Sequence, residues 1–222
     1  NAKYDVIILP DGSVPNTQGG GQGGGGGGGQ GGPRLENIPE EFRARIGRLS
    51  RDSTAQHLKT FLEQGGTVIA IGSGSGLARW LDVPVQDALV INEGGREQRL
   101  RREQFYVPGS VLETRVDTRH PVAFGLAERV NVMFDESPVF KIPTNTQGVR
   151  PIAWYEKDPL RSGWAWGQKY LENGLAAVEA DIGKGNLLVF GPEITFRAQP
   201  HGTFKFLFNG IYYGAATETK VK

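Results

Sequence analysis

The chain has no cysteine in 222 residues. That absence removes disulfides, thiolate metal sites and thiol nucleophiles together, and it leaves the compartment open, because a domain large enough to bury a core needs no staples. Histidine is scarce. His57, His120 and His201 are the three, and none has His, Asp or Glu three or four residues on, so no two ligands share a helix face at zinc-site spacing. No apolar run approaches the ~20 residues that span a bilayer. Charge of one sign is lacking too: 25 basic and 24 acidic residues leave a net +1. The local run Arg96, Arg99, Arg101, Arg102 is diluted by Glu93, Glu97 and Glu103, so no basic stripe points to nucleic acid. The start, Asn1-Ala2-Lys3, has neither an initiator Met nor a signal peptide; the chain reads as an excised fragment, with Asn1-Ala2 a candidate cloning remnant.

Glycine is abundant, 33 residues in all. Gly19 to Gly32 is broken only by Gln22 and Gln30 and cannot offset the entropy of ordering its backbone. Residues 17–34 are therefore expected as a flexible insertion within a single domain, 1–222. Tyr4 to Leu9 is an apolar run closed by Pro10-Asp11-Gly12, which predicts a buried strand and a turn. Ile38-Pro39-Glu40-Glu41-Phe42 opens a short helix. Asp52 or Ser53 caps a second one that runs through Gln64, ends at Gly65-Gly66 and carries Leu58, Phe61 and Leu62 on one face. Thr67 to Ile71 is the next strand, and Gly76 to Leu81 begins a helix.

The second half changes character. Val111 to Val116, Arg129 to Phe134, Val139 to Ile142, Val149 to Tyr155, Leu175 to Ala180 and Leu187 to Phe190 are short strand candidates, with a hairpin turn at Gly183-Lys184-Gly185. Gly202 to Tyr213 closes the chain as a helix with Phe204, Leu207, Phe208 and Ile211 on one side. The sum is α/β: a mostly parallel sheet with an antiparallel extension.

Gly72-Ser73-Gly74-Ser75-Gly76 stands between the Thr67 to Ile71 strand and the following helix. As a dinucleotide fingerprint it fails at Leu77, which occupies the last glycine position, although Glu93 lies about the right distance on for a ribose hydroxyl. As a G-x-S-x-G elbow it fails at Gly74. A serine hydrolase using Ser73 or Ser75 with His201 stays open, as does a plain tight turn from strand to helix. Phe190-Gly191-Pro192-Glu193 through Arg197, then Pro200-His201-Gly202-Thr203, gathers an acid, a guanidinium and a base near a helix start. The same stretch also admits a Glu193–Arg197 pair and a cap from His201 or Thr203. Trp164, Trp166 and Tyr170 read as core or surface packing.

The order strand, Gly-Gly, strand, elbow, then Phe-x-Pro-Glu before a last helix resembles class I glutamine amidotransferase domains. There the elbow bears cysteine and the later motif is His-x-Glu. Carried over, the cysteine falls on Gly72, the histidine on Gly191 and the glutamate on Glu193. Tyr4 to Gly12, Phe105-Tyr106-Val107-Pro108-Gly109-Ser110, Val116-Asp117-Thr118-Arg119-His120-Pro121 and His201 to Asn209 are similar, more closely, to the amidotransferase-like domain C-terminal to the catalytic domain of bacterial zinc carboxypeptidases of the carboxypeptidase A type.

That resemblance implies a flavodoxin-like sheet and a non-catalytic accessory domain, with the peptidase domain as partner and a secreted or periplasmic setting. Zinc is then expected in the parent's catalytic domain, and no cofactor in this chain. A binding module for a small ligand, peptide, glycan or partner domain is the other reading, with Asp11, Ser73, Ser75, Glu193, Arg197 and His201 as candidates at the strand ends. In that family the domain begins with a further strand and helix, which this chain starts too late to contain. Open edges are expected on Tyr4 to Leu9 and Thr67 to Ile71, filled by a second chain, by exchange between two copies of a homodimer, or by direct pairing of the two segments.

Overall fold

Val68, Ile69, Ala70 and Ile71 are all buried, and a strand of this kind needs cover on both faces. The computed structural model describes residues 3–14, 35–43, 47, 49–214 and 216; the glycine-rich stretch 17–34 lies outside the described residues. In chain order the elements are β1 (Val6–Leu9), α1 (Glu40–Arg43), α2 (Thr54–Glu63), β2 (Thr67–Ile71), α3 (Leu77–Trp80), β3 (Gln86–Asp87), β4 (Val90–Glu93), β5 (Arg96–Arg99), β6 (Ser110–Val116), β7 (Arg129–Phe134), β8 (Phe140–Lys141), β9 (Val149–Trp154), β10 (Leu160–Ser162), β11 (Leu175–Ile182), β12 (Gly185–Phe190) and α4 (Phe204–Gly214).

The main sheet runs β1-β2-β12-β11-β9-β6-β10, with β7 on β6, β8 on β11 and β3 on β8. β1 and β12 flank β2 in parallel. From β11 outward the pairings are antiparallel, so the antiparallel extension holds more strands than the parallel part. β1 and β2 pair directly, Val6 opposite Thr67 through Leu9 opposite Ala70. The open edge expected on β2 is therefore absent, and of the three ways of filling it direct pairing is the one seen.

The period of two along β2 sorts its side chains between two cores. Val68 and Ala70 join Leu58, Phe61 and Leu62 of α2, while Ile69 and Ile71 join Phe206 of α4. Each such burial stabilises by about 1.5–3 kcal/mol for the larger side chains. The buried face of α4 keeps Leu207 and Ile211, which pack against the core as expected, but is centred on other residues. Phe206 and Gly210 are buried, whereas Phe208 is 55% exposed. Thr203 sets the phase: it is buried, its Oγ1 donates to the carbonyls of Ile194 at 2.5 Å and Pro200 at 2.8 Å, and a stripe of spacing three and four follows from it.

β3, β4, β5 and β10 were not evident in the sequence. Glu93 belongs to the β4–β5 hairpin, opposite Arg96, so it does not stand where a nucleotide ribose would need it. No helix among the described residues is long and apolar enough to cross a membrane.

Candidate functional site

The carboxyl ends of β1, β2 and β12 meet at one place, and the turn after β2 is built against the loop after β1. Gly72 leaves the strand at φ +58°, a left-handed conformation that glycine adopts without cost. The Ser73 backbone N–H donates to Asp11 Oδ1 at 2.7 Å, and Ser73 Oγ accepts from the Gly12 N–H at 2.6 Å. A 3₁₀ turn over Gly72–Gly76 then leads into α3. A Cβ on Gly72 would stand 2.3 Å from Asp11 Oδ1. At the end of β12, a Cβ on Gly191 would stand 2.0 Å from the Pro138 carbonyl oxygen, a contact with backbone that no rotamer relieves. The position where the amidotransferase pattern places the base is thus closed by backbone, and the position of the nucleophile is filled by the Asp11 side chain.

Between these strand ends lies a cavity of about 220 Å³. Asp11, Ser73, Ser75 and Glu193 all line it, as do Asp135 and the rings of Trp80, Phe140 and Phe196. Burial raises the Glu193 pKa, the negative charges of Asp11 and Asp135 push it further up, and Arg197 offsets part of the rise. The Glu193 carboxylate has no hydrogen bond or ion pair within 4.0 Å among the described residues, so the pair with Arg197 considered from the sequence does not form. Arg197 instead is exposed at φ +47°, its guanidinium 5.0 Å from the Phe196 ring centre. Among the described residues no three His, Cys, Asp or Glu side chains gather closely enough to hold a metal ion.

His201 lies elsewhere. It borders a separate groove with Arg129, Asn131 and Lys205, its Nε2 sits 3.1 Å from the Ala198 carbonyl, and neither serine reaches it. A serine nucleophile needs an imidazole within about 3 Å, so the geometry gives no support to Ser73 or Ser75 acting with His201. Ser73 is moreover committed to holding the Gly12 N–H.

Two features escaped the sequence reading, the partners of His120 and the place of Asp135, whereas Trp164 and Trp166 do pack at the surface. His120 does precede Pro121 in a turn, but it is buried: its Nδ1 accepts from the Val122 N–H at 3.2 Å, which leaves the Nε2 hydrogen to be donated to Glu179 Oε2 at 2.7 Å. Asn186 donates to Glu179 Oε1 at 2.6 Å, and Arg150 bridges Glu179 at 3.0 Å and Asp181 at 2.6 Å. This network lies at the amino end of β12, opposite the cavity. Trp164 and Trp166, 53% and 54% exposed, hold their rings within 13° of parallel on the surface. Asp135 also went unread; it follows β7 in the run Asp135-Glu136-Ser137-Pro138, whose turn residues were its one local signal.

No protein-family model matches the chain, and no curated protein matches it. Among solved structures it is similar to PurLQS from Thermotoga maritima, at 14% identity and TM-score 0.47 over 95% of this chain and 71% of that one. It is similar to a ThuA-like protein from Parabacteroides merdae, at 11% and 0.47 over 77% and 68%. It is also similar to the β-galactosidase from Bacillus circulans sp. alkalophilus, at 13% and 0.45 over 72% of this chain, where it spans 20% of that enzyme's length. Likenesses at TM-scores of 0.45 to 0.47 assign no activity. The fold is mixed α/β, with its strand-to-turn-to-helix elbow at Gly72.

Proposed function

We propose that this chain is a non-catalytic amidotransferase-like domain, an accessory to the peptidase domain of a secreted or periplasmic zinc carboxypeptidase, and that its old cleft serves for binding. The observation that carries the non-catalytic reading is the steric closure at Gly191, where a Cβ would meet the Pro138 carbonyl at 2.0 Å. A base cannot be housed there, and the elbow apex at Gly72 offers no thiol or hydroxyl to activate. Glu193 survives from the triad pattern, but alone it lacks both a nucleophile and a proton shuttle.

The peptidase context is supported by the four segment resemblances between Tyr4 and Asn209. It places zinc chemistry, polarisation of the scissile carbonyl, in the neighbouring domain and assigns none of it here. The cleft as a binding site is supported by four candidate residues, Asp11, Ser73, Ser75 and Glu193, lining one cavity.

Ammonia release from glutamine tests the non-catalytic part. The purified chain should release none above the buffer blank, and should take no label from a fluorophosphonate probe. Release that disappears in Glu193→Ala would overturn the reading.

A further inference from the structure

We infer that the cleft beside Gly72 is a receptor for an organic cation, an alkylguanidinium or alkylammonium group such as a basic amino-acid side chain carries. This rests on the reading of the cleft as a binding site and adds the class of ligand. Five carboxylates, Asp11, Asp87, Asp135, Glu136 and Glu193, border the cavity against two guanidiniums, Arg79 and Arg99. Glu193 has no hydrogen-bond or ion-pair partner among the described residues, and Asp11 and Asp135 stand close enough to disfavour its charge. An unpaired carboxylate in a partly desolvated cleft, as Glu193 is, is costly unless a cation joins it.

A second observation points the same way independently of the acids. Ser75 is 7% exposed and lines the cavity, and its hydroxyl has no hydrogen-bond partner among the described residues. The residue is otherwise enclosed, so its hydroxyl opens to the cavity alone, and an N–H donor seated there meets it together with the carboxylates.

Size and walls select the kind of cation. The acids are too spread to chelate a metal ion, and a cavity of about 220 Å³ holds a group with several heavy atoms. The rings of Trp80 and Phe140 form part of its wall, surfaces that attract alkylammonium and guanidinium groups but not hydrated metal ions. Arg99, which also lines the cavity, pairs with Asp87 at 3.5 Å and not with Glu193.

Isothermal titration calorimetry at neutral pH tests this with three probes: ethylguanidine, a blocked Gly-Gly-Arg-Gly-Gly peptide, and the same peptide with citrulline, the neutral isostere, in place of arginine. Saturable binding is expected for a guanidinium probe, with the citrulline peptide weaker by about tenfold or more, a charge-assisted contact's share of affinity. Ethylguanidine binding by itself marks a free small cation as the source; binding of the arginine peptide alone marks a side chain of a partner. Glu193→Gln and Asp135→Asn should each weaken binding by about tenfold, and Ser75→Ala by about threefold, with circular dichroism confirming each fold. Citrulline binding as well as arginine, or no saturable binding of either cation, overturns the inference. Ammonia release would sink the non-catalytic reading and leave the cation preference standing; an inert protein that ignores cations sinks the inference alone.

Discussion

Asp11 and Ser73 hold each other across the ends of two parallel strands. The Asp11 carboxylate accepts the Ser73 backbone N–H at 2.7 Å, and the Ser73 hydroxyl accepts the N–H of Gly12, the residue after Asp11, at 2.6 Å. The clamp fixes the elbow against β1 and uses up the serine that the sequence offered as a nucleophile. Asp11→Ala should therefore cost about 1–3 kcal/mol in urea unfolding, since it orphans a backbone donor, while Ser73→Ala should cost about 1 kcal/mol. Stability unchanged in both variants would remove the clamp from the description.

Glu193 carries the opposite sign. Burial first, then Asp11 and Asp135, raise its pKa above the usual carboxylate range, with Arg197 pulling the other way. Arg79, Asp87, Arg99 and Glu136 are the other charged groups lining the same cavity. A carboxyl with a raised folded pKa favours folding at low pH, and that contribution is lost as pH rises through the folded value. Glu193→Gln should raise Tm at pH 7, and the gain should vanish near about pH 3 and below, where the glutamate is protonated in both states. A lower Tm at pH 7 would mean that Glu193 has a stabilising partner. Retention of a destabilising acid is what a binding site, rather than a scaffold, requires.

Glu179 behaves conventionally for a paired acid. Burial pushes its pKa up, but the hydrogen bonds from His120 and Arg150 and the charge of Arg150 outweigh this and hold it lowered. Its contribution is present above the unfolded pKa and is lost as pH falls through the folded one. Glu179→Gln should cost about 3 kcal/mol at pH 7, because His120 and Arg150 lose a buried partner, and distinctly less at pH 3. An equal cost at both pH values would show that packing, not charge, is what the residue supplies.

The parts of this molecule that depend on neighbours in sequence were legible, down to most strands of the antiparallel extension and its hairpin at Gly183-Lys184-Gly185, and the contacts those strands make with distant residues were not. The apolar run Val68 to Ile71 ending in Gly72 announces a buried strand and a tight turn, because burial on both faces and a positive φ each leave a local mark. Asp11, Ser73, Ser75 and Glu193 could be grouped because all four follow strands that end at the same sheet edge. Asp135 and Phe140 reach the cavity only because β7 and β8 fold back over it, which no local pattern encodes. His120 meets Glu179 across 59 positions, and an isolated histidine before proline carries no sign of that partner. The centre of the buried face of α4 was misread because four apolar residues at 204, 207, 208 and 211 make a plausible stripe until Thr203 is seen to be pinned to Ile194 and Pro200.

The closure of the catalytic positions is the claim on which the rest stands, and Gly191→Ala measures it most directly. A single methyl group there has to displace the Pro138 carbonyl from 2.0 Å, so urea unfolding should show a loss of at least about 2 kcal/mol, the scale of overpacking against backbone. Gly72→Ala, strained at φ +58° and against Asp11, should lose a further 1–2 kcal/mol or so. If Gly191→Ala unfolds within about 0.5 kcal/mol of the parent chain, the range of a neutral surface change, then β12 has room for a base and the cleft is not closed to chemistry by its architecture.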